Sequence, residues 1–367
     1  MKKAYINNTS IRSCCGDTKQ TLDAVFSKQT SLTSFNDLVP EKIVCIGKFP
    51  NTTPFEILLN NSVNEVLLSS NLENFSNTLL LVGSSVGGMA TTEKTLFKEN
   101  SYKNINLEKH TIDTIASSLN SKYGFLSTRS FSTACTSSAN ALKVAKELIA
   151  VGAYENILVV GADEICFTTI FGFSALGVLS DEICTPFQNE RKGMNVAEGI
   201  GVLLLQNKIQ ENSIEFVGAG TSSDAFHIAN PDPTATGAIT AIRRALNDAQ
   251  LTPQQIDYIN AHGTGTNAND TVEAKAILNI FGNHTYVSSS KSNFGHTLGA
   301  AGAIEAIICT ESLKRSLLPP QIKTDNNESS LNFVATAKDF NVNYTLSNSF
   351  AFGGNNTALI FGVCDES

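Results

Sequence analysis

Apolar and polar positions along this chain follow two rhythms. Nearly continuous apolar runs occur at residues 78–83, 156–162 and 199–205, and strand-like runs with interspersed polar residues at 214–220, 256–259, 286–290, 344–347 and 357–363. A run without polar alternation is what a strand covered on both faces requires. Between these runs the apolar positions fall three and four apart. Residues 139–149 carry Ala141, Leu142, Ala145, Leu148 and Ile149, and residues 236–249 carry Ile239, Ile242, Ala245, Leu246 and Ala249. That spacing predicts helices there, and further helices are expected over 271–281 and 299–317. Residues 1–75 read as short strands and helices joined by polar loops, with Asn60-Asn61-Ser62 and residues 71–77 as loops. Strands alternating with helices imply a layered α/β architecture. The polar run 206–213 separates two halves, giving domains 1–208 and 209–367.

Composition narrows the function classes. An apolar fraction of 42% with 16% charged residues suits a large buried core. The net charge of −8 argues against non-specific nucleic-acid binding. No stretch is long and apolar enough to span a bilayer, and the basic start Met1-Lys2-Lys3 has no apolar core behind it, so no signal peptide is expected and the location is read as cytoplasmic. The eight cysteines show no Cys-x-x-Cys pair and no zinc-like spacing, so no metal is expected and reduced thiols are. The adjacent pair Cys14-Cys15 has no function derivable from the sequence. Gly83-Ser-Ser-Val-Gly-Gly88 is neither a dinucleotide nor a Walker pattern and reads as backbone close-packing.

The chemistry-bearing segment is Ser132-Thr-Ala-Cys-Thr-Ser-Ser138, which places Cys135 at or just before the start of the helix expected from residue 139. Unpaired N–H groups and the positive end of the helix dipole favour a thiolate there. By itself the segment fits a nucleophile or a buried structural cysteine equally well. Two histidine motifs change the balance. Ala261-His-Gly-Thr-Gly-Thr266 follows the 256–259 run, and Lys291-Ser-Asn-Phe-Gly-His296 follows the 286–290 run. Both histidines fall in turns at strand ends, where reactive groups are commonly presented. One cysteine with two imidazoles suits acyl transfer: the thiol takes the acyl group and the imidazoles donate to developing oxyanions or relay protons.

These three segments, in this order, resemble those of the β-ketoacyl-acyl carrier protein synthases, the decarboxylating condensing enzymes of the thiolase superfamily. The resemblance runs through most of the chain. It implies a five-layered α-β-α-β-α fold built from two βαβαβαββ halves, with the site at their junction. It assigns Cys135, His262, Lys291 and His296 to the catalytic tetrad and Glu305 to the site network. Spacing alone would put Glu305 on the far face of a regular helix running on from His296. Asn348-Ser-Phe-Ala-Phe-Gly-Gly-Asn355 matches the gating loop, with Phe350 against the substrate, Phe352 at the gate and Gly353 giving mobility. Gly172-Phe-Ser-Ala-Leu176 matches an acyl-pocket segment through Phe173. Cys15-Gly-Asp-Thr-Lys-Gln-Thr-Leu22 and the residues after it loosely resemble the family's first turn and helix. The backbone N–H groups of Cys135 and Phe352 are implied as the oxyanion hole, and Thr264 and Thr266 as contacts to a pantetheine arm. No cofactor is implied beyond the phosphopantetheine that carries the substrates. The implied partners are an acyl carrier protein and a second subunit, either a copy of this chain or another ketosynthase-like chain.

Two departures bear on the pathway. Residues 55–66 contain no Lys or Arg, where primary-metabolism members carry a basic cluster for the carrier. The residues after Gly88 include Thr91 and Thr92, which suggests a more polar acyl pocket. Both tilt the reading from fatty-acid elongation toward a type II polyketide or aryl polyene ketosynthase. The competing readings are a non-elongating, chain-length-factor-like partner subunit, which usually lacks the nucleophile present here, and a biosynthetic thiolase, which needs a second active cysteine in a glycine-rich loop.

Overall fold

A computed structural model describes residues 1–50 and 52–364. Among the described residues, eleven strands form one continuous sheet made of two units. The first runs Ser127–Phe131, Thr78–Gly83, Asn156–Asp163, Gly199–Gln206, Tyr5–Arg12 in spatial order, and the second Ile214–Ser223, Asn355–Val363, Tyr344–Phe350, Tyr258–Asn260, Tyr286–Ser288, Asn332–Phe333. They join where Tyr5 and Ile6 pair antiparallel with Glu215 and Ile214. The unbroken apolar runs are the inner strands: every residue of Thr78–Gly83, Asn156–Asp163 and Gly199–Gln206 is buried.

Two helices, Ser137–Ala150 and Ala301–Arg315, lie between the two units and contact strands of both. The second is buried almost all round, from Ala301 to Thr310 without a break. A helix sandwiched between sheets has no solvent face to make polar. Small residues let the middle layer close up. A Cβ on Gly302 would meet the Ala139 backbone nitrogen at 2.7 Å, and one on Gly161 would meet Ala303 Cβ at 2.9 Å. Helices Phe55–Leu68 and Thr114–Tyr123 cover the outer face of the first unit, and Thr236–Ala249 and Asn267–Phe281 that of the second. This is the five-layered α-β-α-β-α arrangement that the resemblance implies.

One expectation fails. Asn60-Asn61-Ser62 is not a loop but the middle of helix Phe55–Leu68. Leu59, Val63, Val66 and Leu67 recur at helical spacing and pack on the first sheet, while the asparagines lie on the wetter flank. Tertiary burial outweighs the weak helix preference of asparagine. The reading of Gly88 holds: a Cβ there would lie 1.7 Å from the Lys109 carbonyl oxygen.

Candidate active site

The parallel strands aim their C-terminal ends at one place. Tyr258–Asn260, Tyr286–Ser288 and Tyr344–Phe350 run parallel, so the turns after them bring His262, Lys291 and the 350–354 turn together. In the first unit the strands around Thr78–Gly83 end near Ser84, Asp163 and the Cys135 turn. Ala134 takes a left-handed φ of 52°, which turns the chain sharply from its strand into the nucleophile helix. Cys135 falls two residues before Ser137, with Thr136 as N-cap.

Cys135, His262 and His296 are buried, and their reactive atoms lie within 4.8 Å of one another. The two rings meet edge to face, with centroids 5.1 Å apart. Hydrogen bonds assign their tautomers. His296 Nδ1 accepts the Leu298 N–H at 3.2 Å. His262 Nδ1 lies 3.3 Å from Lys291 Nζ, which donates to it. Each neutral ring therefore carries its proton on Nε2. His296 Nε2 is buried with no partner among the described residues, a donor left over for something else. Burial, with Lys291 adding to it, holds both imidazoles well below the ordinary histidine range, so both stay neutral near pH 7. So compact a Cys-His-His group could hold a metal, but protonated Nε2 atoms are donors, not ligands.

The thiol departs from the sequence expectation. Burial pushes Cys135 up to about 11, against the lowering by Lys291 and by the N–H groups of Phe352 and of Cys135 itself. The helix start favours the thiolate, but desolvation is the larger effect, so the resting group is a thiol. The same two N–H groups face its sulfur, the pair that the resemblance implies as an oxyanion hole.

Lys291 forms a buried ion pair with Glu305. The helix that begins at Lys291 ends at Phe294, Gly295 takes φ 85°, and a new helix starts at Ala301. The chain thus reverses before Glu305, and the regular-helix spacing that put it on the far face does not apply. Lys291 contacts His262 rather than His296. Burial lifts Glu305 to about 7, with Lys291 pulling it back.

A cavity of about 260 Å³ is lined by Cys135, His262, His296, Thr264, Thr266, Phe173, Phe350 and Phe352. Phe173 and Phe352 pack at 5.9 Å between centroids. Thr264 and Thr266 share a hydrogen bond of 2.9 Å. Gly353 has φ 83° and open space where a Cβ would be. Thr91 and Thr92 do not line this cavity: Thr91 is exposed, and Thr92 Oγ1 bonds the Gly88 carbonyl and His110. Their hydroxyls give this chain's cavity no polarity.

Several positioning groups escaped the sequence reading. Glu273 accepts the N–H groups of His262 and Gly263 at 2.8 and 2.7 Å, fixing the histidine turn, and burial lifts it to about 7. Asp163 accepts from Ser84 Oγ and from the N–H groups of Ser85, Val86 and Gly299, tying three turns around Cys135. Asp224 accepts from Asn356 Nδ2 at 2.6 Å and lines the cavity mouth with His227. The one available signal was Asp270 in the first turn of a helix, where a carboxylate meets free N–H groups.

Residues 41–211 match the family model of the beta-ketoacyl synthase N-terminal domain, and residues 214–325 that of its C-terminal domain. The chain is 39% identical over 247 residues to a 3-oxoacyl-[acyl-carrier-protein] synthase 2 of Staphylococcus aureus, and 37% identical over 248 residues to that of Coxiella burnetii. These matches cover 62% of this chain, and 61% and 60% of the relatives, so the chain spans less than two thirds of those curated relatives. Over its full length it is similar to a ketosynthase solved in complex with its chain length factor, from Xenorhabdus doucetiae: TM-score 0.90, 31% identity, covering 99% of this chain and 98% of the other. A beta-ketoacyl synthase from Burkholderia phymatum gives TM-score 0.89 at 26% identity, covering 99% and 100%. With two matching family models, a full-length structural relative and a buried Cys-His-His site at the junction of its halves, this chain belongs to the β-ketoacyl synthase family.

Proposed function

We propose that the chain is an elongating β-ketoacyl-acyl carrier protein synthase, joining an acyl thioester to a malonyl carrier thioester with loss of carbon dioxide. The observation that carries this reading is two neutral Nε2–H donors beside a thiol whose sulfur faces two backbone N–H groups. Two oxyanions form in such a reaction, and there is a donor pair for each. In the first step the Cys135 sulfur attacks the acyl thioester. The Cys135 and Phe352 N–H groups hold the tetrahedral oxygen, pantetheine thiolate leaves, and it takes the proton that Cys135 gives up. In the second, the malonyl carboxylate leaves as carbon dioxide, and its bonding pair becomes an enolate whose oxygen rests on His262 and His296. The enolate carbon attacks the Cys135 thioester. The oxyanion returns to the backbone pair, and its collapse expels the Cys135 thiolate, which takes a proton from water. Lys291 and Glu305 keep His262 oriented and neutral. Thr264 and Thr266 contact the pantetheine arm, and the 350–353 turn controls access.

The substrates bring their own phosphopantetheine, and no bound cofactor is needed. Domains 1–208 and 209–367 supply the nucleophile and the two histidines respectively. Full-length similarity to a ketosynthase bound to its chain length factor supports polyketide or polyene elongation with a ketosynthase-like partner. A basic-cluster-free 55–66 helix supports the same pairing. A purely non-elongating role is disfavoured by the complete Cys-His-His set. The test is carbon dioxide release and β-ketoacyl product formation from acyl and malonyl carrier proteins, with and without a co-expressed ketosynthase homologue. Acylation of Cys135 without any condensation in either case would falsify the elongating role.

A further inference from the structure

Cys14 and Cys15 lie outside the constellation above but touch its backbone. Reciprocal bonds between Ser13 and Gly16 close a tight turn just past the first strand. That turn aims both sulfurs at the catalytic segment 291–296. Cys14 Sγ donates to the Phe294 carbonyl at 3.6 Å, and Cys15 Sγ to the Asn293 carbonyl at 3.5 Å. The slot is tight: a Cβ on Gly47 would lie 3.1 Å from Cys14 Sγ and 2.6 Å from the same Phe294 oxygen. Cys14 is buried, whereas Cys15 keeps partial exposure. The two thiols are sequence neighbours, and the Ser31 and Ser13 hydroxyls also face Cys15.

We propose that the Cys14-Cys15 pair is a reversible oxidation site through which hydrogen peroxide disables the 291–296 segment. The accessible Cys15 sulfur attacks the peroxide: the O–O bond breaks, and sulfenic acid and one water result. Cys14 sulfur then attacks Cys15 sulfur, an S–S bond forms, the S–O bond breaks, and a second water leaves. Two thiols are oxidised and one peroxide is reduced. The adjoining Cys14 and neighbouring hydroxyls hold the Cys15 thiol below its ordinary range, which favours the first step. The disulfide removes both S–H donors: the Asn293 carbonyl keeps the Ser31 N–H, whereas the buried Phe294 carbonyl loses its Cys14 donor. A buried acceptor that loses its donor destabilises the conformation that depended on it. Lys291 opens that segment and His296 closes it, so both move with it. Adjacent Cα atoms are about 3.8 Å apart, closer than the usual disulfide range of about 4.4–6.8 Å. A bond formed there is strained and readily reduced, as labile regulatory disulfides are.

The chemical part is tested in full-length Cys135→Ala protein, which cannot oxidise at the nucleophile. After hydrogen peroxide and then trypsin, the peptide 13–19 is expected to have lost two hydrogens and to regain them with dithiothreitol. Cys15→Ser abolishes the change. Cys14→Ala leaves a sulfenic acid on Cys15 that dimedone traps. The functional part rests on the proposed function. Protein acylated on Cys135, its sulfur masked as a thioester, is treated with peroxide and given malonyl carrier. Decarboxylation is expected to be lost and recovered with dithiothreitol, while Cys15→Ser retains the untreated rate. A peptide 13–19 that stays a dithiol, or one that oxidises with decarboxylation unchanged, overturns the inference. Absence of decarboxylation in untreated protein overturns the functional reading instead, and the peptide mapping then still decides the oxidation site.

Discussion

Replacing His296 by alanine isolates one donor of the enolate pair. Its Nε2–H is buried and has no partner among the described residues, so it is free to serve the enolate and is lost with the ring. A preorganised donor to a developing oxyanion contributes roughly 10²–10³ in rate, about 2.7–4 kcal/mol. Malonyl decarboxylation by His296→Ala is therefore expected to fall by that factor. The acyl-transfer oxyanion rests on backbone N–H groups that the substitution leaves in place, so acylation of Cys135 should change less than about tenfold, a barrier difference of about 1.4 kcal/mol. The ring also accepts the Leu298 N–H, and its loss costs about 1–3 kcal/mol of stability. The assay pairs carbon dioxide release from malonyl carrier with intact-mass measurement of acyl-Cys135. His296→Asn, which restores a side-chain N–H, should recover part of the first rate. Acyl transfer lost with decarboxylation preserved, or a His296→Ala rate near that of the unaltered protein, would refute the assignment of the two donor pairs.

Alkylation should follow the thiol environments. Cys15 is expected to react with iodoacetamide before Cys135 near neutral pH, and the Cys135 rate should climb about tenfold per pH unit between about pH 7 and 10, as its thiolate fraction rises; Lys291→Met should slow Cys135 further, because Lys291 lowers that thiol, and peptide mapping reads all three effects. Glu273→Gln turns an acceptor of two N–H groups into a group that must also donate, and is expected to cost about 1–3 kcal/mol in denaturant unfolding and to lower decarboxylation. The folded protein holds the Glu273 proton up to about 7 while the unfolded chain releases it near its ordinary value, so this group lowers stability as pH rises from about 4.5 to 7, and Glu273→Gln should flatten that part of the stability profile. Gly302→Val places a side chain against the Ala139 backbone and should destabilise by at least about 1–3 kcal/mol, read as a lower thermal midpoint.

The local rhythm of the chain was enough to place the buried strands and the amphipathic helices, because a strand covered on both faces needs an unbroken apolar run and a half-covered helix needs an apolar stripe. It was also enough to single out Cys135, His262 and His296, since each sits in a small-residue turn beside such a run. It failed where burial depends on distant neighbours. Asn60 to Ser62 became helical because Leu59, Val63 and Val66 found the first sheet to cover. Glu305 joined the site because a turn at Gly295 reversed the chain, which no helical spacing can foresee. Glu273 and Asp163 were silent in the sequence, since a carboxylate that holds backbone N–H groups looks like any other until the turns it binds are folded around it. The cysteine shows the division most plainly. The sequence placed it at a helix start that favours thiolate, and only the packed structure determined that desolvation outweighs the helix and leaves a thiol, beside two imidazoles whose tautomers Lys291 and the Leu298 N–H had fixed.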